Sequence, residues 1–168
     1  MIQALRENIS AFSDLSEQAQ KILIVDDEYR IRSSLRILLD GAGREIQESE
    51  TGLDAIKKLK SQEVDLVLLD INLTDISGLE VLEWVANNKI STSVIFVSAD
   101  NSIDSAILAL RYGAIEFVRK PFKLEEIQRK VENALYRRRM ERSYAKMTAR
   151  IQQSEQLHRF LVENSPDL

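Results

Sequence analysis

The stretch Val64-Asp65-Leu66-Val67-Leu68-Leu69-Asp70-Ile71-Asn72-Leu73 decides how this chain of 168 residues folds. Its apolar, partly β-branched run is bounded by polar residues and ends abruptly in a carboxylate, Asp70. A short run of that kind suits a strand buried on both faces, as in a parallel sheet. Asp70 then falls at the carboxyl end of a central strand, where open α/β sheets place their ligand sites. That position makes it a candidate nucleophile.

Three similar runs lie around it. Ile22-Leu23-Ile24-Val25 ends in Asp26-Asp27-Glu28, Val94-Ile95-Phe96-Val97 ends in Ser98-Ala99-Asp100, and Glu116-Phe117-Val118-Arg119 leads into Lys120-Pro121-Phe122. A shorter polar segment from Arg44 to Glu48 reads as a strand near a sheet edge. Between the runs, apolar residues recur at helical spacing. The stripes are Ile31, Leu35, Leu38 and Leu39; Leu53, Ile56 and Leu59 behind a Thr51 N-cap; Leu79, Leu82, Val85 and Ala86; and Ile103, Ile107, Leu108 and Leu110. A last helix starts near Leu124 with Ile127, Val131, Ala134 and Leu135 inward. Five strands alternating with five helices through short loops predict an α/β fold, a doubly wound parallel sheet with right-handed crossovers.

Composition narrows the function classes. With 44% hydrophobic residues the chain can bury a core, and a net charge of −4 gives no general attraction to nucleic acid. The absence of cysteine excludes disulfides and thiolate metal sites, and a single histidine, His158, excludes multi-histidine metal sites. No apolar stretch approaches the roughly 20 residues that span a bilayer, and the first residues do not read as a signal peptide. A cytoplasmic location without membrane contact is the default expectation.

The strand ends bring Asp26, Asp27, Asp70, Ser98 and Lys120 to one edge of the sheet. Three carboxylates packed together repel and need a cation; Mg2+ suits them because it prefers hard oxygen ligands. With that charge screened, Asp70 can attack an electron-rich phosphoryl group, Lys120 can neutralise a phosphate oxygen and the Ser98 hydroxyl can donate to another.

With these residues in place the chain resembles a response regulator receiver domain of two-component signalling. The likeness is carried by Ile22 to Glu28, Leu68-Leu69-Asp70, Val97-Ser98-Ala99, Gly113 to Phe117 and Lys120-Pro121-Phe122. It implies a flavodoxin-like sheet in the order 2-1-3-4-5 and no enzyme activity beyond phosphoryl acceptance. It implies that Asp70 takes the phosphoryl group from a sensor histidine kinase or phosphotransfer protein. Mg2+ would be held by Asp27, Asp70 and the Asn72 carbonyl, with Asp26 acting mainly through a water. Ser98, Ala99 and Lys120 would bind the phosphoryl group, and the Lys120–Pro121 bond would be cis. Ser98 and Phe117 would switch a face built from the fourth helix, fifth strand and fifth helix. Thr74 stands where the family usually has proline, which puts the shape of that loop in question.

The chain divides on this reading into a helix or tail over 1–20, striped by Ile2, Leu5, Ile9 and Phe12, a receiver over 21–138, a coiled-coil signalling helix over 139–163 and the start of a truncated domain at 164–168. Met140, Tyr144, Met147, Ile151, Ser154, His158 and Leu161 keep the alternating four-and-three spacing of a coiled-coil seam, which points to a parallel homodimer. Arg137, Arg138, Arg139 and Arg142 read as a solvated helix face interleaved with Glu132 and Glu141, and no helix-turn-helix fits after Leu135. Phe160 to Leu168 resembles the beginning of a PAS domain, and outputs on such linkers include cyclic-di-GMP enzymes and kinases. Two other readings compete: an aspartyl phosphatase of the haloacid dehalogenase type, from the run Asp70-Ile71-Asn72-Leu73-Thr74, and a receiver used only for docking.

Overall fold

The computed structural model describes residues 19–100 and 102–164. The amino-terminal stripe therefore lies outside the described residues, as do the last four positions of the PAS-like end. The elements alternate as β1 (Gln20–Val25), α1 (Tyr29–Leu39), β2 (Arg44–Ser49), α2 (Gly52–Ser61), β3 (Leu66–Leu69), α3 (Gly78–Asn87), β4 (Ser93–Ser98), α4 (Ile103–Arg111), β5 (Glu116–Arg119) and α5 (Leu124–Glu163). The five strands form one sheet in the order β2-β1-β3-β4-β5, with every pairing parallel. This is the doubly wound, flavodoxin-like arrangement that the alternation predicts.

The strand sequences explain the layering. Alternate side chains point to opposite faces, and β3 is apolar at every position, so it buries both. Leu23, Val25, Val67, Leu69 and Phe96 face α2, α3 and α4 through Ala55, Leu59, Val81, Leu82 and Ala109. Ile22, Ile24, Leu66, Leu68, Ile95 and Val97 face α1 and α5 through Leu35, Leu39, Ile127, Val131 and Leu135. Each fully buried leucine or isoleucine stabilises the fold by about 1.5–3 kcal/mol.

Local signals set the helix starts. Thr51 Oγ1 accepts from Asp54 N at 3.2 Å, as the N-cap reading requires. Ser77 and Glu80 close a reciprocal box at α3, with Leu79 N donating to Ser77 Oγ and Ser77 N donating to Glu80 Oε2. The loop containing Thr74 is tied down by the next residue: Asp75 accepts from Gly52 N at 2.9 Å and Leu53 N at 2.8 Å, capping α2 from a distance. Desolvation is the largest single influence on the Asp75 carboxyl and pushes it up. The backbone bonds it accepts, these two first, together outweigh that and hold the group below its ordinary value.

Helix α5 runs unbroken for 40 residues, about 60 Å at 1.5 Å per residue. Its arginines are not uniformly solvated, contrary to the sequence reading. Arg137 and Arg139 are exposed. Arg138 and Arg142 instead continue the inward face beyond Leu135 and dock on their own domain. Arg138 Nη2 donates to the Ser91 carbonyl and, at 2.6 Å, to Ser91 Oγ. Arg142 Nη1 lies 2.8 Å from Asp65, and its Nη2 3.2 Å from Glu63. Asp65, buried at the start of β3, also accepts from Lys21 N at 2.8 Å, which accounts for a carboxylate at the head of an apolar strand.

Candidate functional site

The strand order reverses direction between β1 and β3, and such switch points open a crevice at the carboxyl ends of the strands. Backbone pairing extends one residue past three strands and fixes the crevice rim. Asp26 N donates to Ser49 O at 3.2 Å, Asp70 N to Val25 O at 2.9 Å and Lys120 N to Ser98 O at 2.8 Å. The residues that the sequence placed at strand ends therefore meet at one edge.

Carboxylate oxygens of Asp26, Asp27 and Asp70 all lie within 4.8 Å of one another. Lys120 Nζ donates to Asp26 Oδ2 at 2.6 Å and to Asp70 Oδ2 at 2.7 Å, with Glu28 at 3.7 Å. The other oxygens also have donors: Glu28 N reaches Asp26 Oδ1 at 2.9 Å, and Asn72 N reaches Asp70 Oδ1 at 3.1 Å. Burial pushes the Asp26 carboxyl above its ordinary range, against the opposing pull of Lys120. Burial also pulls Lys120 down, but its bonds to Asp26 and Asp70 outweigh that and raise it, so the ammonium stays charged.

One ammonium therefore faces three acidic side chains. This donor set fits a hard divalent cation, which takes carboxylate oxygens and would relieve the remaining negative charge. Without a cation the surplus costs stability. An acid whose folded pKa is raised destabilises the fold as pH climbs through the window between its unfolded and folded values. Asp26→Asn leaves Lys120 paired one to one with Asp70, so it is expected to melt above the wild type at neutral pH in a chelating buffer. Each kcal/mol gained corresponds to a rise of roughly 2–4 °C. A lower Tm for Asp26→Asn would show that the Lys120–Asp26 bond outweighs the repulsion.

Ser98 ends β4 fully buried, and its Oγ accepts from Asp100 N at 3.2 Å. Ala99 follows it, exposed. Phe117 pairs in register with Phe96 and packs, partly buried, on the core shared with α2, α3 and α4. Ser98 lies two residues beyond Phe96 and so shares a sheet face with Phe117. The Lys120–Pro121 bond is cis. Asn72 is exposed and meets the site through its backbone N–H.

Two contributors escaped the sequence reading. Arg32 is buried and donates to the carbonyls of Asp26 and Asp27. Gly78 begins α3 against the backbone of Asp70, where an added Cβ would lie 2.0 Å from Asp70 O. The only sequence signal for it is a glycine directly after Ser77, the residue that caps α3.

A family model described as the response regulator receiver domain matches residues 22–132. The chain belongs to that family. The receiver is 32% identical over 129 residues to the transcriptional regulatory protein ZraR of Klebsiella oxytoca, covering 77% of this chain and 29% of that protein. It is 35% identical over 112 residues to the luminescence regulatory protein LuxO of Vibrio campbellii, covering 67% of this chain and 25% of that protein. It thus spans less than a third of either curated relative. Among solved structures, the receiver domain of a LuxO repressor from Vibrio parahaemolyticus superposes with a TM-score of 0.71 at 32% identity, covering 73% of this chain and 95% of that one. The regulator TrrA of Thermotoga maritima, solved in complex with Mg2+ and BeF, superposes at 0.62 with 38% identity, covering 69% of this chain and 99% of that one. Receiver domains serve signalling by two-component systems, typically with histidine kinases or phosphotransfer proteins as partners. No helix among the described residues is long and apolar enough to cross a membrane.

Proposed function

We propose that this receiver accepts a phosphoryl group on Asp70 from the phosphohistidine of a sensor kinase or phosphotransfer protein, with Mg2+ required. The observation that carries this reading is the clustering of the Asp26, Asp27 and Asp70 carboxylates within 4.8 Å of one another, two of them bonded to the Lys120 ammonium, at the switch point of the sheet. Asp70 has the acids of β1 on one side, while β4 and β5 supply Ser98 and Lys120 on the other. An Asp70 oxygen forms the new O–P bond as the P–N bond to the donor imidazole breaks, and the imidazole nitrogen leaves with the electron pair. Lys120 passes from the carboxylates to a phosphoryl oxygen, and Ser98 and the exposed Ala99 rim hold another. Asp27, Asp70 and the Asn72 carbonyl would hold Mg2+, with Asp26 acting mainly through a water. The bound ion supplies positive charge that lets an anionic nucleophile meet an anionic donor.

Incubation with acetyl phosphate tests this reading. A mass gain of one phosphoryl group that needs Mg2+ and disappears with chelator is expected. No gain in the presence of Mg2+ overturns it and favours the docking-only receiver. The phosphatase reading loses its footing in the topology, since Asp70-Ile71-Asn72-Leu73-Thr74 follows the third strand instead of the first.

Transmission is proposed to run through the face formed by α4, β5 and α5, where Ile103, Ile107 and Leu110 are exposed, and along α5. Met140, Tyr144, Met147 and Ile151 lie outward on α5 with 45–75% of their surface exposed. At about 100° per residue they sit roughly opposite Val131, Arg138 and Arg142, so the helix can hold its domain with one face and a second copy with the other. A parallel, in-register pairing sets Arg150 of one copy against Glu155 of the other, and Leu157 against Val162, with no like-charge pair. The output joined to this helix, whether a cyclic-di-GMP enzyme or a kinase, would then be driven as a dimer. Light scattering on the full chain is expected to give the mass of a dimer, falling to a monomer in Tyr144→Glu, Ile151→Glu. A monomeric wild type at high concentration overturns the pairing.

A further inference from the structure

Arg32 lies one turn into α1 with 8% of its surface exposed. Its Nη1 donates to Asp26 O at 2.7 Å and to Asp27 O at 3.1 Å. These two carbonyls lie in the turn between β1 and α1 and accept no backbone N–H among the described residues. The guanidinium is held in turn: Nε lies 3.5 Å from Glu48 Oε2 on β2, and the Tyr29 ring centroid is 5.9 Å from its central carbon. Glu48 also pairs with Arg36 at 3.0 Å.

We propose that Arg32 is a positioning residue for the acidic site, fixing the peptide planes of Asp26 and Asp27 so that their carboxylates stay convergent on the bound cation. The proposal rests on the Mg2+ reading given above. Arg32 forms no hydrogen bond or ion pair with the carboxylates of Asp26, Asp27 or Asp70, so it acts on the site through the backbone of the first two. Its charge is only partly met by Glu48, which Arg36 shares, so the Arg32→Lys variant below separates field from geometry. The fork of a guanidinium suits this task, because one nitrogen spans two successive carbonyls while another stays anchored to the neighbouring strand. Groups that orient metal ligands in this way typically change metal affinity by 10–100-fold when removed.

Calorimetric titration of Mg2+ into the full chain, with no phosphodonor present, tests the proposal. Arg32→Met, which keeps an apolar stem, is expected to weaken Mg2+ binding by about tenfold or more. Arg32→Lys, which retains a donor and the charge, should fall between Arg32→Met and wild type. Acetyl phosphate labelling of Arg32→Met should be slow at low Mg2+ and return to within about threefold of wild type at saturating Mg2+. A merely structural role would not give that recovery. Mg2+ affinity within twofold of wild type in a folded Arg32→Met, or a labelling deficit that saturating Mg2+ does not relieve, overturns the proposal. Should Arg32→Met not fold, Arg32→Lys carries the decision on the same two readings. A wild type that binds no Mg2+ sinks the site reading first, and this proposal with it.

Discussion

Asp70→Asn is expected to take up no phosphoryl group from acetyl phosphate at any Mg2+ concentration. An amide offers no carboxylate oxygen to form an acyl phosphate, and no other acid at the site has the same neighbours. Asp26 lies at the end of β1, with β3 between it and Ser98. Asp70 occupies the middle position, reached by the acids from one side and by the hydroxyl and ammonium strands from the other. Asp26→Asn and Asp27→Asn should therefore still label, slowly, and peptide mapping should find the adduct on Asp70. Labelling of Asp70→Asn at the wild-type rate, or an adduct mapped to Asp26 or Asp27, would falsify the assignment.

Gly78→Ala is expected to damage fold and chemistry together. The α3 amino terminus packs directly on the strand end: Gly78 N donates to Ile71 O at 2.8 Å. An added Cβ would lie 2.0 Å from Asp70 O, 2.9 Å from Asp70 C and 3.0 Å from Ile71 Cα. These are backbone atoms, so no rotamer change relieves the contact. Overpacking of this kind costs about 1–3 kcal/mol and at times more, which corresponds to a Tm lower by roughly 2–12 °C. What gives way is the peptide that carries the nucleophile, so acetyl phosphate labelling should slow even at temperatures where the variant is folded. Gly41→Ala is the control, since an added Cβ there meets nothing within 4 Å. Equal Tm and labelling rate for Gly78→Ala and wild type would rule out the close approach.

The parts of this molecule that were legible in the sequence are those whose signals are local. Strands that end in Asp26, Asp70, Ser98 and Lys120 announce themselves by an apolar run stopped by a polar residue, and the parallel topology then gathers those ends. The Thr51 cap and the unbroken α5 likewise depend on residues within a few positions of one another. What stayed hidden depends on partners far apart or on backbone groups. The place of Asp65 at the head of an apolar strand depends on Arg142, far along the chain. Arg32 bonds to carbonyls, which leave no trace in a residue pattern, and Gly78 matters through the one atom it lacks. The arginine run was misread for the same reason: helical phase alone could not show that Arg138 and Arg142 face Ser91 and Asp65 while their neighbours face solvent.

The docking of α5 has a practical consequence for dividing the chain. The family match ends at residue 132 and the sequence boundary falls at 138, yet Arg142 supplies the counter-charge of a carboxylate buried at the start of β3. A piece cut at either limit carries every residue of the phosphoryl site and still strands Asp65 with no cation beside it. The segment that resembles the family and the segment that is electrostatically complete are therefore different lengths. The linker begins, in physical terms, only after the receiver has borrowed its first turn.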